Sequence, residues 1–298
     1  MATVILIACI CFLFGAVIGS FLAVCSFRIP MGKYEPTRPG VKQLDKPVSL
    51  TKPARSFCPE CEHPLEWWQL IPIVSWCALR GRCAHCGAPV SFRYVIIELL
   101  TASLAVLCFL RLGPTPEALA LFIFMCLLVV ITFIDLDYMI IPDVITYPAT
   151  FAGLMIGLVN YFTRQPLGGL LGFPFVRSPF DSLMGLLMGP GMLLSVWWLY
   201  FKIRKREGLG LGDVKLLAMV GATFGAECAW FTIFAGSLTG AFIGLATLLI
   251  RRDALSTYIP FGPYLALGTT LFLFQAHEML FALLGQPSTI TWWIRGIS

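Results

Sequence analysis

Charge is what this sequence has least of. Asp, Glu, Lys and Arg make up only 12% of its 298 residues, while 58% are hydrophobic. Together with a mean hydropathy of +0.84, that scarcity excludes a soluble globular chain. Several runs carry almost no charge over the roughly 18 to 20 residues that cross a bilayer as a helix. Lipid offers no partners to bare backbone, so such runs must be helical. The first run, Val4 to Phe27, lacks the cationic start of a secretory signal and is long, and it reads as a retained helix. Tandem repeats and low-complexity tracts are also missing. So is any interleaving of basic with aromatic residues, which leaves no nucleic-acid surface.

What is present is an all-α polytopic membrane protein with about eight transmembrane helices. The spans fall near Val4–Phe27, Tyr94–Leu112, Ala118–Ile134, Ile145–Phe162, Leu183–Phe201, Leu211–Gly225, Cys228–Ile250 and Ile259–Leu284. Only a weak break at Gly225 to Glu227 separates the sixth from the seventh, and one kinked helix there would change the parity. With eight spans, seventeen Lys and Arg fall in the loops of one side and four on the other. The richer side is then cytosolic and both termini lie outside the cytosol. Topology thereby accounts for the net charge of +5.

Between the first two spans lies a polar insert, residues 28–93, which divides the chain into 1–27, 28–93 and 94–298. Its first half, rich in Pro, Gly and Lys, reads as irregular loop. Its second half carries CPEC at Cys58–Cys61 and CAHC at Cys83–Cys86, with 21 residues between them. Two such pairs close a tetrahedral zinc site. A reducing cytosol disfavours disulfides, and a segment this small gains from a metal staple. No position is left open for substrate, so the expected metal is structural. His63 and His85 read as surface residues, and His277 in the last span as a packing residue. Cys9, Cys11, Cys25, Cys108 and Cys126 read as small hydrophobes.

Two acidic sites stand out in so uncharged a chain. GLGDVKLL places Asp213 between the cationic KIRKRE, residues 202–207, and a long apolar run. A carboxylate at a membrane boundary is a candidate functional group. It would equally serve as a helix N-cap, with Gly212 the last loop residue. IDLDYMIIPD sets Asp135, Asp137 and Asp143 within nine residues, where Pro142 is expected to end the third span. Asp135 and Asp137 point about 200° apart on a helix, so they cannot both face one neighbour. The charge-based topology brings Asp213 and one of the three to the same membrane face. Two carboxylates sharing a proton can hold a water between an ionised base and a neutral acid. A solvated helix end, or a metal-binding DxD pattern, is the plainer reading of the trio.

The order and spacing of these motifs resemble the type IV prepilin peptidases, GxGD-type membrane aspartic peptidases. The resemblance rests on GSFLAVCSFRIP (19–30), the knuckle block, FRYVIIELLTA (92–102), DLDYMIIPD, GLGDVKLL and IPFGPYLALG (259–268), and it covers nearly the whole chain. It implies that Asp135 and Asp213 are the catalytic pair, with Asp137 and Asp143 as supporting acids. It also implies cleavage of the basic leader of prepilins or pseudopilins after a glycine, in a bacterial inner membrane. N-methylation of the new amino terminus with S-adenosylmethionine follows in family members that have the tetracysteine insert. Two positions depart from the family pattern: Ala23 stands where many members have Asn, and Val95 where they have Pro. Gly210 and Gly212 would let an extended substrate backbone approach closely. Glu60, Glu62 and Glu66 could attract the cationic leader. The cations of 202–206 serve as a topology signal that also faces anionic lipid.

Two rival readings come from other classes. A proton-coupled transporter expects acids at mid-membrane and leaves the knuckles without a role. A membrane scaffold with a zinc-bound docking module leaves the acids unexplained.

Overall fold

A computed structural model describes residues 2–31, 33–37, 48–163, 174–205, 210–250 and 260–274. Within these, the chain divides into two compact units, Met1–Ile145 and Thr146–Ser298.

The first unit holds α1 (Ala2–Arg28), the insert with its short α2 (Val74–Ala78), α3 (Arg93–Leu112) and α4 (Pro116–Tyr138). α1 is apolar on every side and faces outward along Leu13, Val17 and Phe21, which suits contact with lipid. Its inward face carries Gly15 and Gly19 four residues apart. A Cβ on Gly15 would lie 2.8 Å from the Ala102 backbone and one on Gly19 2.7 Å from Glu98. Helices in lipid gain by this close approach of small residues, since no hydrophobic effect drives them together. α3 ends at Gly113, whose left-handed φ of 69° lets its N–H cap Phe109. α4 begins with Thr115 as N-cap and Pro116 in its first turn. Leu121, Met125, Ile131 and Ile134 along its inner face are fully buried, and α4 packs on α1 and α3.

α5 (Asp143–Thr163) leads into the second unit, which contains α6 (Pro179–Arg204), α7 (Leu211–Phe224), α8 (Ala226–Ile250) and α9 (Gly262–Leu273). Backbone meets backbone where Gly185 of α6 crosses Gly221 of α7, and a Cβ on either would collide with the other's carbonyl. The Ser182 hydroxyl donates to the Ala222 carbonyl beside that crossing at 2.6 Å. α8 and α9 close up through Gly236 and Gly268, with Thr232 and Thr269 hydroxyls 3.1 Å apart.

A helix occupies each of the eight expected spans. Six are long and apolar enough to cross a membrane: α1, α3, α4, α5, α6 and α8. α7, with 14 residues, is about 21 Å long, short of a hydrocarbon core of about 30 Å. The break at Gly225 is complete, since that residue takes φ 89° and its N–H caps Gly221, so α7 and α8 are separate helices packed on each other. One boundary moves. α4 stops at Tyr138, where Met139 adopts a left-handed φ of 53° and its N–H bonds the Asp135 carbonyl, three residues before Pro142. Asp143 therefore belongs to the first turn of α5. The far part of the last span, His277 and the cations Arg164, Arg206, Arg251, Arg252 and Arg295 lie outside the described residues.

Candidate functional site

The acids occupy helix termini. Asp135 and Asp137 sit in the last turn of α4 and both are buried, at 5% and 4% exposure. Asp137 forms an ion pair with Arg93, the first residue of α3. The same guanidinium donates to the Phe133 carbonyl and lies 5.0 Å over the Phe133 ring. One cation thus neutralises Asp137 and adds a donor to a carbonyl one turn earlier on α4, as a planar guanidinium is suited to do. Thr37, from the insert, caps the same terminus, donating to the Asp137 carbonyl from its backbone N–H at 2.9 Å and its hydroxyl at 3.0 Å. Asp143 is exposed.

In the second unit Asp213 is buried at 9% exposure, in the first turn of α7. It is not the N-cap. Gly210 holds that position with extended backbone (φ −74°, ψ 132°), and Asp213 N–H donates to the Gly210 carbonyl at 3.2 Å. Gly212 lies inside the helix rather than ending the loop. A Cβ on Gly210 would stand 3.4 Å from Asp213 Oδ2, an ordinary van der Waals contact. Lys215, two residues on, places its Nζ 5.5 Å from the Tyr147 ring.

The cysteines of the insert converge. The Sγ atoms of Cys58, Cys61, Cys83 and Cys86 all lie within 4.8 Å of one another, and Cys58 and Cys86 are 3.9 Å apart. Zinc–sulfur bonds of about 2.3 Å in a tetrahedron put sulfurs about 3.8 Å apart, so the donor set fits zinc. The two knuckles repeat one backbone design. Cys58 N–H bonds the His63 carbonyl and Glu62 N–H the Cys58 carbonyl, as Cys83 N–H bonds Ala88 and Gly87 N–H bonds Cys83. Each turn needs a left-handed residue, Glu62 at φ 56° and Gly87 at φ 72°. Backbone hydrogen bonds from Cys86 and then His85 lower the Cys83 thiol to about 7, which favours the thiolate that a metal requires. His63 and His85 are exposed, as expected, and stack with ring centroids 4.2 Å apart. Glu66 accepts from the Trp68 indole at 2.7 Å. Of the remaining cysteines, Cys25, Cys108 and Cys126 are buried, whereas Cys9 is exposed on α1 and Cys11 is half-buried.

Three residues within the stretches 19–30 and 92–102, to which the sequence assigns no individual role, hold the insert to the helices. Arg28, buried at the end of α1, donates to the carbonyls of Ser49, Leu50, Pro53 and Arg55 at 2.8 to 3.2 Å. Glu98 of α3, also buried, accepts from the Ile73 N–H at 2.7 Å. Arg93 is the third. Glu98 had a signal in the sequence, being a carboxylate inside an apolar run, the same signal that singles out Asp213. Arg93 reads in sequence as one more flanking cation, and only the fold brings it to Asp137.

Comparison with known proteins places most of the chain among relatives of one kind. Residues 13–112 match the family model described as the bacterial peptidase A24 N-terminal domain, and residues 122–245 the type IV leader peptidase family. Among curated proteins, one from Aeromonas hydrophila is 39% identical over 86% of this chain and 87% of its own. Relatives from Pseudomonas putida and Pseudomonas aeruginosa are 36% and 37% identical, over 89% and 90% of both chains. All three carry the name prepilin leader peptidase/N-methyltransferase. No solved structure matches the chain.

Proposed function

The chain belongs to the type IV leader peptidase family, and from that membership we propose that it is a membrane aspartic endopeptidase that removes the basic leader of prepilins or pseudopilins, using Asp135 and Asp213. The observation that carries the choice of acids is the sorting of the four carboxylates. Asp137 is held by Arg93 and Asp143 is exposed, whereas Asp135 and Asp213 are buried at a helix end and a helix start. Asp137 and Asp143 act as supporting acids.

In this reading the pair shares one proton and holds a water. Helix dipoles favour negative charge at a helix start and disfavour it at a helix end. Asp213 is then the ionised base that takes the water proton, and Asp135 the acid that protonates the scissile carbonyl; Asp213 next gives its proton to the amide nitrogen, which leaves as the amine while a hydroxyl proton of the tetrahedral intermediate returns to Asp135. A substrate strand passes Gly210 and Gly212. Counted over eight crossings, seventeen of the 21 Lys and Arg fall toward one side, and in this reading the site faces the cytosol and the termini the periplasm of a bacterial inner membrane. Zinc on Cys58, Cys61, Cys83 and Cys86 staples the insert, residues 28–93, and takes no part in cleavage, which belongs to 94–298. S-adenosylmethionine, when bound, supplies the methyl group for the second activity, a reading drawn from the names of the relatives. Among the described residues no glycine-rich turn joins a strand to a helix to cradle that group, so no methylation step is assigned to a residue.

A cleavage assay on a prepilin-like peptide in detergent tests the roles. Asp135→Asn and Asp213→Asn are expected to lose about a hundredfold or more, and Asp137→Asn to keep activity. A dead Asp137→Asn beside an active Asp135→Asn would overturn the pairing. Product mass with and without S-adenosylmethionine reads methylation directly: a gain of one methyl only with the donor is expected, and unchanged mass refutes it.

A further inference from the structure

One stretch of the insert is inside out. Residues 67–78 form a 3-10 turn (Trp67–Leu70), a bend at Ile73 and the short α2. Its exposed apolar side chains are Trp67 at 79%, Leu70 at 41%, Ile71 at 39% and Val74 at 61%, joined by Cys77 and Ala78. No polar residue of the stretch is exposed, and Gln69 and Ser75 are half-buried. The exposed positions lie on both sides of the bend, at Trp67, Leu70 and Ile71 before it and at Val74, Cys77 and Ala78 after it. On a surface facing water the polar and apolar places would be exchanged.

The depth of this strip is fixed by one hydrogen bond. Ile73 N–H donates to Glu98 Oε2 at 2.7 Å, and Glu98 is the sixth residue of α3, about 7.5 Å along that helix from its start. The α3 residues around it, Ile96, Leu99 and Leu100, are exposed and apolar, the outward surface of a membrane span. The strip is therefore level with, and tied to, the edge of the lipid-facing band. Tryptophan is enriched where hydrocarbon meets headgroups. Exposed Arg80 and Arg82 follow the strip directly and suit anionic headgroups.

We propose that residues 67–78 sit in the headgroup–acyl boundary of the bilayer and anchor the cysteine knuckles to the membrane surface, in the manner of an interfacial amphipathic segment. Lipid is the occupant because the face is apolar, lies at the depth of a transmembrane helix surface and continues that surface. The inference does not depend on the peptidase chemistry.

The test uses the full chain in nanodiscs of phosphatidylethanolamine and phosphatidylglycerol. Trp67 and, separately, Val74 are replaced by the photo-crosslinker p-benzoylphenylalanine. Both side chains are exposed, so the fold should persist, and zinc content checks it. After irradiation, the expected product at both positions is the chain plus the mass of one phospholipid. The absence of a lipid adduct at both positions, or crosslinking mainly to a second copy of the chain or to added prepilin, overturns the proposal. A second measurement uses acyl-brominated lipid, which quenches nearby indoles. Trp67→Phe is expected to show less fractional quenching of total tryptophan emission than the wild type, and equal quenching in the two would count against the anchor.

Discussion

Arg93 pairs with one of the two carboxylates in the last turn of α4. Its guanidinium pairs with Asp137, with side chains 21% and 6% exposed. Removing one partner of a buried pair strands the other charge, at a cost of about 3 kcal/mol or more. Arg93→Met is therefore expected to lower the midpoint of thermal unfolding in detergent sharply. Arg93→Met/Asp137→Asn, which strands no charge, should recover part of that loss. A double variant no more stable than Arg93→Met would show that the pair is not the cause. Gly210 poses the opposite kind of question, since a Cβ there meets Asp213 Oδ2 at an ordinary 3.4 Å. Gly210→Ala should fold with an unchanged unfolding midpoint, and if the glycine admits substrate it should lower kcat/KM several-fold. Unchanged kinetics would remove Gly210 from the substrate path.

Packing between elements rests on small residues, and the α6–α7 crossing is the tightest case. Gly185 and Gly221 leave no room for a methyl on either side, whereas Gly191, also on α6, has nothing within 4 Å. Asp213 lies eight residues before Gly221 on the same helix, about 12 Å away along its axis. Gly221→Ala should force the helices apart and cost both thermal stability and cleavage. Gly191→Ala should be neutral, or stabilising by up to about 1 kcal/mol through helix propensity. Equal tolerance of the two substitutions would mean the crossing is not rigid. Helix existence was legible at all eight places because uncharged apolar runs have one solution in lipid. Helix ends were less so. Pro142 is a plain signal in the sequence, yet α4 ends earlier at Met139, a residue with no turn preference, whose left-handed φ is imposed by its setting. In the same way Gly210 rather than Asp213 holds the N-cap of α7, so Gly212, which was expected to end the loop, lies inside the helix.

Across the whole chain, what the sequence could not reveal is how its polar insert is attached. The two cysteine pairs were legible as a metal site from spacing alone, since two C-x-x-C turns present four thiolates without help from the rest of the fold. The anchors were not, because Arg28 reaching Ser49 to Arg55, Glu98 reaching Ile73 and Thr37 reaching Asp137 are contacts over long separations that leave no local pattern. These anchors make the consequence of metal loss specific. The helices α1, α3 and α4 pack through Gly15, Gly19 and a buried α4 face, and among the described residues the cluster of metal-ligating side chains lies in the insert rather than between these helices. The knuckles have only two isolated β-bridges, Phe57 with Pro64 and Arg82 with Pro89, and little apolar core. Elemental analysis of the purified chain should find about one zinc per molecule, as a closed four-thiolate site binds. A strong chelator, or Cys83→Ser, should remove it. Limited proteolysis should then cut between residues 56 and 90, while far-ultraviolet circular dichroism stays nearly unchanged because the membrane helices persist. Were the helical signal to collapse together with the metal, the insert would be part of the membrane fold's core stability rather than a stapled platform carried by it.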